Sequence, residues 1–201
     1  MVALGFRAQR GGAVVVAVTP EPELVLSAFL PTAADGDRLA FEPYHVAVEM
    51  GQGASDEVRT AVAEGRRRQD EMAAAGLAGI LAGLRARGFE PALAALLVNR
   101  AGWMTDLLSY SLAFADHPPV AEGLAVRDAL RTAFQANGLA FVETDEKSLG
   151  DTAAARFGDV EARLKALGQT AGKPWRKEQK LACLAAWLAV TGPDAIASPQ
   201  P

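Results

Sequence analysis

The sequence predicts an α/β protein with a mixed β-sheet and helices on both of its faces. Three observations carry the prediction. Three short apolar runs, residues 2–8, 12–19 and 23–31, are separated by the pair Gly11-Gly12 and by Thr19-Pro20-Glu21-Pro22, the pattern of successive antiparallel hairpins. Residues 91–98 form an unbroken apolar run, the pattern of a strand buried on both faces. Helical stretches alternate with strands after the hairpins, so the order reads β-β-β-α-β-α-β-α, with two helix–strand crossovers.

The first two strands need only the glycine pair as a hinge, and the Pro20/Pro22 break cannot continue a ladder because proline has no N–H to donate. After residues 33–37, a polar loop, Tyr44-His45-Val46-Ala47-Val48-Glu49-Met50 reads either as a further strand or as an extended lead into a helix. Ser55-Asp56-Glu57 caps a long helical region. In its second half Leu77, Ile80, Leu81 and Leu84 share one buried face, Gly76, Gly79 and Gly83 allow close approach of a neighbour, and Gly88 stops the helix. A short helix is expected around residues 103–115, ended by Asp116-His117-Pro118-Pro119. Another covers 122–135, with Leu124, Val126, Leu130 and Phe134 mostly inward and Asn137-Gly138 closing it. Residues 139–143 are the last strand, 151–173 a helical stretch broken by Gly158, Gly168 and Gly172, and 176–190 the closing helix.

Half of the 201 residues are hydrophobic, enough for a sizeable core, and the net charge of −4 argues against a dedicated non-specific nucleic-acid binder while leaving room for a local basic patch. Cys183 is the only cysteine, which excludes an intrachain disulfide and a cysteine-based zinc site. No apolar stretch reaches the roughly 18 residues that span a bilayer, and Met1-Val2-Ala3 leads straight into a strand, so a cytoplasmic protein is expected. Abundant alanine, glycine and arginine with little lysine match the products of GC-rich bacterial genomes.

Leu4-Gly5-Phe6-Arg7-Ala8, followed by Gly11-Gly12-Ala13-Val14-Val15, resembles the first hairpin of RuvC-type Holliday junction resolvases, whose pattern is Gly-apolar-Asp-Pro-Gly and then Gly-x-apolar-Val. Residues 125–130 with 137–144 resemble that family's second crossover helix and fifth strand, and 182–191 its alanine-rich closing helix. The resemblance implies a ribonuclease H-like domain over residues 1–192, with 193–201 as a flexible C-terminal tail. It also implies a nuclease centre in which carboxylates of the first strand, the fourth strand and the closing helix hold two divalent metals. Here the matching positions are Arg7 (Phe6 if shifted by one), Asn99 beside Arg100, and Lys180, Leu181 and Cys183, with Glu178 as the nearby acid. An arginine repels a cation and an asparagine offers only a neutral oxygen, while magnesium and manganese need hard anionic ligands. The expectation is therefore a degenerate active site with no cofactor, in a protein that acts by binding nucleic acid or a protein partner.

Arg7, Asn99, Arg100 and Lys180 would then converge at the strand ends, either as an anion pocket or, the plainer reading, as ordinary polar residues solvated or paired with Glu49 or Glu143. Between residues 161 and 181 six bases face two acids, and Trp175 with Lys177 and Lys180 could grip a phosphate backbone, although a solvated face with the tryptophan folded inward is the plainer reading. The rival is a phosphodiester hydrolase with a rearranged Mg or Mn site drawn from Glu49, Glu143, Asp145 and Glu178, Glu146 standing beside them in the sequence. A third reading is a homodimer through the Gly76/Gly79/Gly83 face. Arg66-Arg67-Arg68 is flanked by Glu64, Asp70 and Glu71, which points to ion pairs on the helix rather than to a docking site. Cys183 falls on the apolar face of the last helix as a core residue. His45 and His117 have no evident orienting partner, and Ser27, Ser109 and Ser111 lack a nucleophile-elbow context.

Overall fold

A computed structural model describes residues 1–99, 104–115, 118–171 and 174–192. The first hairpin, β1 (Val2–Gln9) with β2 (Gly12–Val18), turns on Arg10-Gly11, and β3 (Leu24–Pro31) pairs antiparallel with β2. β4 (Pro91–Val98) lies parallel to β1 on its other side, and β5 (Phe141–Asp145) lies parallel to β4. The five-stranded sheet runs β3-β2-β1-β4-β5.

Alternation along the strands sorts side chains to two cores. Leu4, Phe6, Val15 and Leu96 face α3 (Asp56–Ala86) and α5 (Pro118–Ala136), where Leu77, Leu81, Leu130 and Phe134 meet them. Ala3, Val16, Ala95 and Leu97 face α8 (Lys177–Val190), which contributes Ala182, Cys183, Ala186 and Trp187. The flanking helices α6 (Leu149–Phe157) and α7 (Val160–Ala171) complete this second core. Gly5 sets the approach of α8: a Cβ there would lie 1.8 Å from the carbonyl oxygen of Ala182, so no side chain fits between β1 and α8.

The helix stops are legible as Schellman motifs. Gly138 takes φ +63°, its N–H bonds the Gln135 carbonyl at 3.1 Å, and the Leu139 N–H bonds Phe134 at 3.0 Å. Leu139 thus belongs to the helix stop, and β5 begins at Phe141 instead of at 139. Ser55 caps α3 as expected, its Oγ accepting from the Val58 N–H. Gly76 makes room for Leu30, whereas Gly79 and Gly83 face open space, so close approach holds at only one of the three.

Residues 44–50 are neither strand nor extended lead. They form α2 (Pro43–Met50), preceded by the single turn α1 (Arg38–Phe41). Proline starts α2, Gly51 ends it, and its β-prone Val46 and Val48 are overridden by a distant cap. The buried carboxylate of Glu122, on α5, accepts the backbone N–H groups of Tyr44 and His45, both at 2.9 Å. Tyr44 and Ala47 then join Val58, Val62 and α4 (Leu107–Ala113) in a third, smaller core. α5 starts one turn earlier than expected, with Pro118 and Pro119 in its first turn, where a missing N–H costs nothing. Arg100, Trp103, Asp116, His117, Gly172, Lys173 and the expected tail 193–201 lie outside the described residues. Among the described residues no helix is long and apolar enough to cross a membrane.

Candidate functional site

β1, β4 and β5 are mutually parallel, and the crevice beyond the carboxyl ends of such strands is where α/β sheets place ligands. Arg7 is the last but two residue of β1, Asn99 follows β4, and Glu146 follows β5, its N–H extending the ladder to the Val98 carbonyl at 2.9 Å. Strand alternation points Phe6 into the α5 core, where it meets Phe134 edge-on at 4.8 Å, and turns Arg7 to the α8 side. Of the two first-strand positions considered from the sequence, Arg7 and not Phe6 faces the α8 side.

Arg7 makes a two-point ion pair with Glu146, Nε to Oε2 at 3.2 Å and Nη2 to Oε1 at 3.1 Å. Its remaining nitrogen stands 3.9 Å from Oε1 of Glu178, in the first turn of α8. One guanidinium thus bridges the acids of two elements, beside positions where the resemblance noted above implies ligands of a divalent cation. The donor set does not fit such a cation. Its strand-end members are a guanidinium and the neutral Asn99, and the acids that remain are engaged by Arg7. The four acids of the rearranged site are not gathered either. Glu49 pairs with Arg38 at 2.7 Å and His45 at 3.1 Å, and Arg38 holds it below the usual carboxylate range. Glu143 pairs with Arg131 at 2.6 Å, Asp145 accepts from the Lys147 N–H at 3.3 Å, and only Glu178 reaches Arg7. Among the described residues no three histidines, cysteines or carboxylates form a metal-sized group.

Arg7 opens onto a cleft of about 620 Å³ between α5 and the start of α8. Among the described residues Arg7, Arg10, Arg127, Lys147 and Lys177 line it, with Glu146 as the one lining carboxylate. The apolar part of its lining is Pro119, Val120, Gly123 and Leu124 from α5 and Leu181 from α8. Arg127, on α5, is half-buried in this lining. Its Nη1 donates to Asn99 Oδ1 at 2.8 Å, while its buried Nε–H has no partner among the described residues. Burial pushes its pKa down, and the nearby charges of Arg131 and Arg7 add to that, opposed by Glu146 and Glu143. An anion brought into the cleft would relieve this excess of positive charge.

Of the residues expected to converge here, Arg7 and Asn99 both line the cleft, and Asn99 accepts from Arg127. Lys180 is exposed and does not line the cleft; Lys177, one turn earlier, does. Trp175 is no stacking platform. Its indole N–H donates to the Leu164 carbonyl at 3.0 Å, and its ring fills the space that Gly168 leaves on α7. The basic segment does not make one surface, since Arg163 turns away over the Trp187 ring at 5.3 Å. Arg67 and Arg68 pair with Glu64 at 2.8 Å, as the flanking acids suggested, whereas Arg66 reaches Tyr44 and Asp128 rather than Asp70. Cys183 is fully buried, and burial pushes its thiol up to about 12. Arg10, Arg127 and Lys147 had no local signal as site residues, because a turn, a helix face and a loop far apart in sequence meet only in the fold.

No protein-family model and no curated protein matches the sequence. Among solved structures, T. thermophilus RuvC in complex with Holliday junction substrate is similar over 96% of this chain and 96% of that one, with 12% identity and a TM-score of 0.52. A second Thermus thermophilus RuvC structure is similar over 93% and 92%, with 15% identity and a TM-score of 0.49. The likeness is one of fold, and with the strand order and directions above it makes the architecture of this chain ribonuclease H-like.

Proposed function

We propose that this protein binds nucleic acid through the cleft at the ends of β1, β4 and β5, without a divalent cation and without cutting the strand. The observation that carries the reading is the lining of the cleft, five basic side chains against one carboxylate among the described residues, in a chain of net charge −4. Charge concentrated in this way is the electrostatic footprint of a phosphate ligand. The solved neighbour holds a Holliday junction substrate, which supports nucleic acid over other polyanions. Arg7 supplies in fixed form the positive charge that a metal would bring, so Glu146 and Glu178 do not repel the backbone.

Electrophoretic retardation at low salt tests the reading. Labelled DNA should be retarded at micromolar protein, and Lys177→Glu should weaken binding at least about tenfold, because reversing a cation adds repulsion to the loss of a phosphate contact. No retardation of any nucleic acid, or full retention by Lys177→Glu, contradicts it.

A further inference from the structure

Resting on the nucleic-acid reading, we infer that the cleft takes unpaired, single-stranded nucleic acid in preference to a double helix. The cleft presents two kinds of lining side by side on the same helices, Arg127 with Val120 and Leu124 on α5 and Lys177 with Leu181 on α8. In a duplex the phosphates face outward and the base faces are stacked inside, so nothing apolar accompanies the backbone. A single strand offers a bare base face beside each phosphate, which is the combination this lining matches. The volume, about 620 Å³, is that of a small-ligand pocket and holds about one or two nucleotides.

Gly123 marks where a base would lie. Val120, Gly123, Leu124 and Arg127 follow i, i+3, i+4, i+7 spacing and form one stripe of α5 along the cleft. A glycine inside a helix costs about 1 kcal/mol relative to alanine, and packing does not explain this one, because a Cβ at Gly123 would meet nothing within 4 Å. Its absence leaves the helix surface between Val120 and Leu124 open to the cleft, where we place a base, with Arg127 one turn on for the phosphate. Val120 is 38% exposed.

Fluorescence anisotropy in EDTA with an oligothymidylate, a duplex of the same length and thymidine monophosphate as competitor tests the inference. The oligothymidylate should bind at least about tenfold tighter than the duplex. Gly123→Leu, which improves helix propensity and covers that surface, should remove that margin while the melting temperature is kept or raised. Equal affinity for strand and duplex, or a margin intact in Gly123→Leu, overturns the single-strand inference and leaves the binding function standing. Competition by thymidine monophosphate as strong as by the strand, nucleotide for nucleotide, overturns it in favour of a mononucleotide pocket. Binding to neither polymer overturns the proposed function itself.

Discussion

Arg7 and Glu146 meet through two parallel contacts, 3.2 Å and 3.1 Å, that join the end of β1 to the loop after β5 across the intervening β4. Both side chains are about one-quarter exposed, so the pair is neither fully screened by water nor fully desolvated. With Glu178 at 3.9 Å on α8, the guanidinium fixes three elements at the mouth of the cleft.

That arrangement predicts the effect of Arg7→Asp. Three carboxylates would then crowd one space with no cation among them, and the melting temperature should fall in EDTA. Millimolar manganese should restore part of the loss in the variant and leave the wild type unchanged, read as a thermal shift. A variant indifferent to manganese would show that Glu146 and Glu178 do not share one space.

Glu122 predicts a pH dependence. Burial pushes its carboxyl up to about 7 from a usual 4.5, with Glu42 adding to the effect while the Tyr44 and His45 N–H groups and Arg10 oppose it. The folded state therefore keeps the proton to higher pH than the unfolded chain. Stability from this group is fully present below about 4.5 and falls until the folded carboxyl ionises near 7, by up to about 3 kcal/mol. Glu122→Gln keeps an oxygen acceptor for α2, so its urea midpoint should match wild type at the acid end of this range and exceed it at pH 8. Parallel pH profiles for the two proteins would refute the assignment.

Gly5→Ala tests the seating of α8 on β1. The added methyl collides with the backbone carbonyl of Ala182, which no rotamer change relieves. Overpacking of this kind should cost about 3 kcal/mol or more, seen in chemical denaturation. A loss under about 1 kcal/mol would mean that the helix rides higher on the sheet.

Cys183 provides a probe of the same layer. Buried under α8 with its thiol pushed up to about 12, it should react with a disulfide reagent only as fast as the protein opens, and completely in urea. Stoichiometric labelling within seconds under native conditions would contradict the packing.

The parts of the fold legible in the sequence are those that local chemistry decides. The Gly11-Gly12 hinge, the Ser55 cap, the Gly88 and Asn137-Gly138 stops and the apolar run of β4 each carry their signal within a few residues. Arg7 was legible because strand spacing put it at a site position. α2 was not, since its cap, Glu122, stands more than seventy residues downstream of the helix it starts. The same holds for the cleft: Arg10 on a turn, Arg127 on α5 and Lys147 on a loop become neighbours only through the order β3-β2-β1-β4-β5. Trp175 has bases around it in sequence, yet it packs into the niche that Gly168 opens in space, the plainer of its two readings.

On the proposed reading, Arg7 stands in for metal in a cleft that binds nucleic acid. That reading is tested most directly by titrating a labelled oligonucleotide with wild-type protein in EDTA and again in millimolar manganese, then running the strand on a denaturing gel. The account predicts dissociation constants equal within about twofold, a steep fall in affinity with salt, and an intact strand. Binding that requires manganese, or a strand cut in its presence, would contradict it.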